Sequence, residues 1–295
     1  MASIAGTAGL ALAPRFTAAT PAASASRPAP FINHCHIAAK KFGRDTSGRP
    51  HVGTVGDLQE TLADAGVAGA VVFAPFVAQE GRDPNEWLVH TLASHPNLVG
   101  FAAIDPKHPD AARRVRDCAA MKLKGIKIHP PVMKTALNDP ACRPFFAAAE
   151  ELRLPVVCHT GAHGWYLKHY LPLLLDDIAR DHPKLPILIE HVGGMALFDQ
   201  ALSVLMNHKQ TTYAGYTMET GPTGRFPESG LRAEQIRTLR DVAGPARIVY
   251  GHGYPWNSDN RRALRDDLAE IRAWGLPAEE TDLVLGGNLR RLIGG

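Results

Sequence analysis

Eight times in succession, a short run of β-forming residues gives way to an amphipathic stretch of helical length. The predicted strands are Phe31–His36, Ala70–Ala74, Leu98–Ile104, Gly125–His129, Val156–His159, Ile187–His191, Thr211–Gly215 and Ile248–Gly251. The helices after them are predicted over roughly Val55–Ala65, Asn85–Ser94, Pro109–Met121, Ala141–Leu152, Leu171–Asp181, Ala196–Asn207, Ala233–Val242 and Asn260–Trp274, with a last one over Ala278–Leu292. Parallel strands need crossovers long enough to hold a helix, so this alternation implies a parallel α/β sheet. Eight such units are the number that closes a (β/α)8 TIM barrel. An open, doubly wound sheet is the competitor. It usually shows a G-x-G-x-x-G turn after an early strand, and the chain has none.

With 295 residues, 45% of them hydrophobic, one barrel over 30–295 uses the chain without demanding a second domain. Residues 1–29 are rich in Ala, Ser, Thr and Pro and contain no acid. They are expected to form a flexible leader, with a targeting peptide as the alternative. A net charge of +3, from 32 basic and 29 acidic residues, and the lack of a basic run with interleaved aromatics argue against a nucleic-acid partner. No apolar run is long enough to span a membrane. The four cysteines show no C-x-x-C spacing and are expected to be reduced thiols, which points to a cytoplasmic protein.

A parallel barrel places its chemistry at the carboxyl ends of its strands. His36, His129, His159 and His191 each end a predicted strand. In Ile32-Asn33-His34-Cys35-His36, the two histidines are two residues apart, so strand alternation puts them on one face with Ile32. The same rule pairs Val157 with His159, and groups Ile187, Ile189 and His191 while Glu190 points away. If the histidine faces line the lumen, three or four imidazoles converge. Three protein ligands plus a water is the usual arrangement of catalytic zinc. Lys127 and His129 share the inward parity of the fourth strand. Lys127 is expected to offer positive charge to a substrate carboxylate or carbonyl, with a structural role in the barrel floor as the alternative. His129, beside Pro130 and Pro131, is expected to shape the pocket mouth. Trp165, with Tyr166 and His163 in the loop after His159, can line a pocket for an apolar or aromatic substrate. Cys35 should pack outward.

The blocks F-I-N-H-C-H-I, K-G-I-K-I-H-P-P, C-H-T-G, I-E-H-V-G-G, Y-G-H-G-Y-P-W and G-N-L-R-R-L-I-G occur in an order that resembles the amidohydrolase-2 branch of the amidohydrolase superfamily. That branch contains metal-dependent hydrolases, lactonases and non-oxidative decarboxylases. The resemblance implies a distorted (β/α)8 barrel of metal-dependent hydrolase type. It implies His34, His36 and His159 as metal ligands, zinc foremost, and His191 as a ligand or an acid/base. Two departures stand out. The acid usual two residues before the first histidine is Ile32. The eighth-strand aspartate, which binds metal and moves the water's proton, is Gly253. His252 is next to it and can do both jobs, although its parity is outward unless a bulge reverses it. Glu219, after the seventh strand, and Asp259, after the eighth, are the other candidate acids.

The expected activity is metal-assisted hydrolysis of an amide, ester, lactone or thioester of a small organic acid. His191, His252 and Lys127 are the catalytic candidates, and Lys127, His129 and Trp165 the substrate-binding ones. The alternatives are a metal-dependent decarboxylase or other lyase, and a catalytically degenerate ligand-binding barrel. The expected partner is a small carboxylate or carbonyl compound, with a homodimer as the default assembly.

Overall fold

The computed structural model describes residues 1, 27–44, 47–217 and 230–294. Most of the predicted leader, and Glu219, therefore lie outside the described residues. The strands are β1 (Phe31–His36), β2 (Gly43–Arg44), β3 (Pro50–Val52), β4 (Gly69–Phe73), β5 (Leu98–Ala103), β6 (Ile126–Ile128), β7 (Val156–His159), β8 (Ile187–Glu190), β9 (Thr212–Thr217) and β10 (Ile248–Tyr254). Eight of them close a barrel in the order β1-β10-β9-β8-β7-β6-β5-β4, and every neighbouring pair is parallel. The expected (β/α)8 barrel is present.

Alternation along the strands divides the core into two layers. Phe31, Val71, Phe73, Phe101, Val157, Leu188, Val249 and Leu289 fill the lumen. Ile32, Val72, Ile126, Ile128, Cys158, Ile187, Ile189 and Tyr250 face the surrounding helices. Each large side chain removed from water contributes on the order of 2 kcal/mol. The helices begin where the local chemistry satisfies their first N–H groups. Thr54 and Asp57 form a reciprocal capping box at α1 (Val55–Asp64), and Asp83 caps α2 (Pro84–Leu92), whose first residue is proline. Asp259 caps α9 (Asn260–Arg272) by accepting from the Arg262 amide. It is exposed, which spends this carboxylate on the helix and not on the strand ends.

Two features differ from the sequence expectation. The β2–β3 pair is an antiparallel insertion after β1, too short for any periodicity to reveal. It is tied to the barrel because the Gly53 amide donates to the Tyr254 hydroxyl at 3.1 Å. The single C-terminal helix is instead broken at Leu283–Gly287. Gly286 has φ 150°, and a Cβ there would lie 2.7 Å from the Phe31 backbone nitrogen. Only glycine lets this segment close the amino-terminal end of the barrel. Beyond it, Asn288 donates to the carbonyls of Pro245 and Ile248, each at 2.7 Å. That contact seats Leu289 in the lumen. Among the described residues, no helix is long and apolar enough to cross a membrane.

Candidate metal centre

On β1, Phe31 packs in the lumen and Ile32 in the outer layer. Strict alternation from there would send His34 outward with Ile32. Instead, His34 has a left-handed backbone with φ 64°, where the register of β1 slips against both neighbours. The bulge turns His34 inward against Phe73 (ring centres 5.5 Å apart) and brings His36 to the same side, 5.2 Å from that ring. Cys35 packs outward as expected. The expectation that Ile32 shares the histidine face is therefore corrected: a bulge, not plain alternation, aligns His34 with His36. Gly251 on β10 leaves the necessary space, since a Cβ there would lie 2.8 Å from the His34 Cβ. Gly251→Ala should cost about 1–3 kcal/mol in urea unfolding and weaken divalent-metal binding in a calorimetric titration.

On β8, Leu188 fills the lumen while Ile187 and Ile189 face out. Glu190 therefore points inward, against the sequence expectation. His191 would have followed Ile189 outward. Left-handed angles at His191 (φ 62°), Val192 (φ 47°) and Gly193 (φ 77°) turn it back into the site. The turn is braced from β7: the Gly193 amide donates to Thr160 Oγ1 at 2.8 Å, and that hydroxyl donates to the Glu190 carbonyl at 2.5 Å. His191 Nδ1 lies 3.0 Å from Thr217 Oγ1, which fixes the ring. Glu190, Thr160 and Thr217 were all missed from sequence. The lumen position of Leu188 was the usable signal for Glu190.

Glu190 is the centre of the site. Lys127 reaches it from β6 as a buried ion pair, and the Lys127 ammonium also lies 4.9 Å from the Phe73 ring centre. His34 Nδ1 is 3.3 Å, His191 Nε2 3.5 Å and His159 Nδ1 3.7 Å from its oxygens. Donor atoms of His34, Glu190 and His191 lie within 4.8 Å of one another, as do those of His129, His159 and His163. The structure thus divides the expected His34/His36/His159 set. His34 joins the Glu190 group, His159 joins an outer group, and His36 stands beside His34 with ring centres 5.1 Å apart.

Burial, then the charge of Lys127, holds His34, His129 and His191 well below the ordinary imidazole range. His159 is lowered by burial and then by His129, and His36 is lowered to about 3 by burial and Lys127. These rings are neutral at physiological pH and offer lone pairs. Among the described residues, the buried His159 Nε2 has no hydrogen-bond partner. Neutral imidazoles around one carboxylate form a donor set that fits a divalent ion. Burial pushes the Cys118, Cys142 and Cys158 thiols up to about 12, which suits packing and not nucleophilic attack.

Three expected roles change. His252 faces the helix layer: its Nδ1 is 3.0 Å from Asp267 Oδ2 on α9, and the Tyr250 hydroxyl donates to the same oxygen at 2.6 Å. The register of β10 slips against β1 between Gly251 and Tyr254, where Gly253 is left-handed (φ 72°), yet His252 keeps its outward parity. Lys127 is fully buried and paired with Glu190, where the sequence reading had it facing a substrate. Trp165 packs on Tyr170 and His169, the base of its own loop. The aromatic walls near the histidines are Phe76, 6.3 Å from His36 and 5.6 Å from His129, and Trp256, 6.1 Å from His36. The His129 ring stacks on His159 with centres 3.9 Å apart.

Solved structures share this barrel. An uncharacterised TIM-barrel protein from Bordetella bronchiseptica superimposes with a TM-score of 0.73 at 14% identity, over 90% of this chain and 99% of its own. The 5-carboxyvanillate decarboxylase of Sphingomonas paucimobilis gives 0.66 at 16% identity, over 90% and 99%. An amidohydrolase from Burkholderia multivorans with bound zinc gives 0.62 at 16%, again over 90% and 99%. At these identities the likeness establishes the fold. The family is set by sequence: the amidohydrolase model matches residues 31–295, from the first residue of β1 to the last residue of the chain, and the protein belongs to the amidohydrolase-2 family.

Proposed function

We propose that this protein is a metal-dependent hydrolase acting on an amide, ester, lactone or thioester of a small organic acid. The observation that carries the reading is Glu190: a buried carboxylate ringed by neutral histidines, standing where β10 offers only Gly253 and an outward His252. His34, His36, His159 and Glu190 would hold the ion, zinc foremost, leaving His191 beside them for acid/base work. A bound divalent ion polarises a carbonyl and lowers the pKa of a bound water. Lys127 holds the Glu190 carboxylate in place through their buried ion pair. His191, oriented by Thr217, is placed to donate a proton to a leaving group or accept one from water. Phe76 and Trp256 give an apolar wall for the organic part of the substrate.

Decarboxylation is the second reading, and the Lys127–Glu190 pair favours it. A carboxylate engaged by an ammonium is a poor base, which leaves His191 as the proton-handling group. Protonation at carbon after loss of CO2 needs only that. A panel of esters, lactones, amides and aromatic or aliphatic carboxylates separates the two, assayed by acid release and by CO2 release. The proposal expects acid release that is lost on chelation and restored by zinc. CO2 release alone selects the second reading. Bound metal without turnover on any member contradicts both.

A further inference from the structure

We propose that Phe42 determines substrate specificity: by backing Trp256 it limits the size of the organic group that fits beside His36. The inference rests on the functional reading above, in which Phe76 and Trp256 wall that group. Phe42 directly precedes β2, in the insertion that lies outside the closed barrel. Its ring stands edge-on to Trp256, with centres 5.5 Å apart and planes at 71°. Trp256 in turn lies 6.1 Å from the His36 ring. Phe42 thus reaches the metal centre through Trp256, as a positioning residue. Edge-to-face packing is a favoured arrangement of two aromatic rings, so Phe42 resists a swing of Trp256 away from His36.

The insertion is anchored well enough to act as a backstop. The Phe42 amide donates to the Val52 carbonyl at 2.8 Å. Gly53, with φ 116°, lies against the ring: a Cβ there would fall 2.4 Å from Phe42 Cδ1. A Cβ on Gly43 would lie 3.1 Å from the Pro255 carbonyl oxygen, so the insertion rides on the residue before Trp256. Trp256 has its own supports. Its amide donates to the Gly253 carbonyl at 3.0 Å. The buried Asn260 side chain donates to the carbonyls of Asn257 at 2.9 Å and Pro255 at 3.3 Å. The insertion also reaches the other wall, because the Ala39 amide donates to Gln79 Oε1 at 3.0 Å, in the loop that carries Phe76. Both aromatic walls beside His36 are therefore tied to one short insertion.

A wall that cannot yield discriminates by size, and such a contact changes relative kcat/KM by about 10-fold or more. The test compares the 4-nitrophenyl esters of acetic and 2-naphthoic acid on full-length, zinc-loaded protein. Phe42→Ala should raise the naphthoate-to-acetate ratio of kcat/KM by about 10-fold or more, chiefly through KM for the larger ester, with zinc content unchanged. Phe42→Leu keeps apolar bulk behind Trp256 and should stay near the wild-type ratio. An unchanged ratio in Phe42→Ala, or an equal loss on both esters, would overturn the proposal and leave Phe42 a packing residue. Where neither ester turns over, binding of 2-naphthoate decides. With 5-fluorotryptophan incorporated and the Trp256 signal assigned from Trp256→Phe, naphthoate should shift that signal at about 10-fold lower concentration in Phe42→Ala than in wild type. Equal or undetectable affinities in the two proteins overturn the proposal, whereas lack of turnover by itself counts only against the functional reading.

Discussion

Replacing Lys127 with methionine should destabilise the metal-free protein by about 3–5 kcal/mol, measured by urea unfolding. Lys127 and Glu190 are both essentially without solvent contact. Removing the ammonium leaves a carboxylate in the lumen with only neutral imidazoles near it. Methionine fills similar volume, so a cavity contributes little of the loss. Replacing both Lys127 and Glu190 with methionine should recover most of it, because the desolvation cost disappears with the second charge. Added zinc should stabilise Lys127→Met more than wild type, since an ion can approach Glu190 without facing an ammonium. A single variant within about 1 kcal/mol of wild type would mean that the pair is not buried as described.

The larger functional effect should come from Glu190→Gln. The substitution keeps shape and hydrogen-bonding capacity but removes the one negative charge at the centre of the inner group. Only neutral imidazoles of the proposed set would then face the ion, without the carboxylate that the described residues supply. Supporting groups around a metal already change affinity by 10–100-fold, and loss of a direct ligand should exceed that. Turnover should fall with metal content. His252→Ala should leave both unchanged, because that ring is engaged with Asp267 on the far side of β10.

The fold was legible because its signals are long. Eight apolar runs at helix-length spacing leave few architectures, and each run overlaps a barrel strand. Inward parity for Lys127 and Val157 also followed from alternation, since β6 and β7 are regular up to Cys158 and Ile128. Alternation failed at β1 and β8, where the chemistry lies. His34 and His191 hold left-handed angles that cost about 1 kcal/mol or more each, and each such residue resets the parity after it. The histidines were found by their positions at strand ends, and their inward direction was right. The reason given for it was not, and the same faulty parity hid Glu190. Glu190 lies two strands around the barrel from Gly253, at a position that no motif on β10 could announce.

In the proposed site, Glu190, and not the end of β10, supplies the carboxylate. Zinc affinity by chelator competition tests it most directly, compared across wild type, Glu190→Gln and His252→Ala. Affinity should fall by more than about 100-fold in Glu190→Gln and stay at the wild-type level in His252→Ala. Full affinity in Glu190→Gln, with the metal lost from His252→Ala, would contradict it.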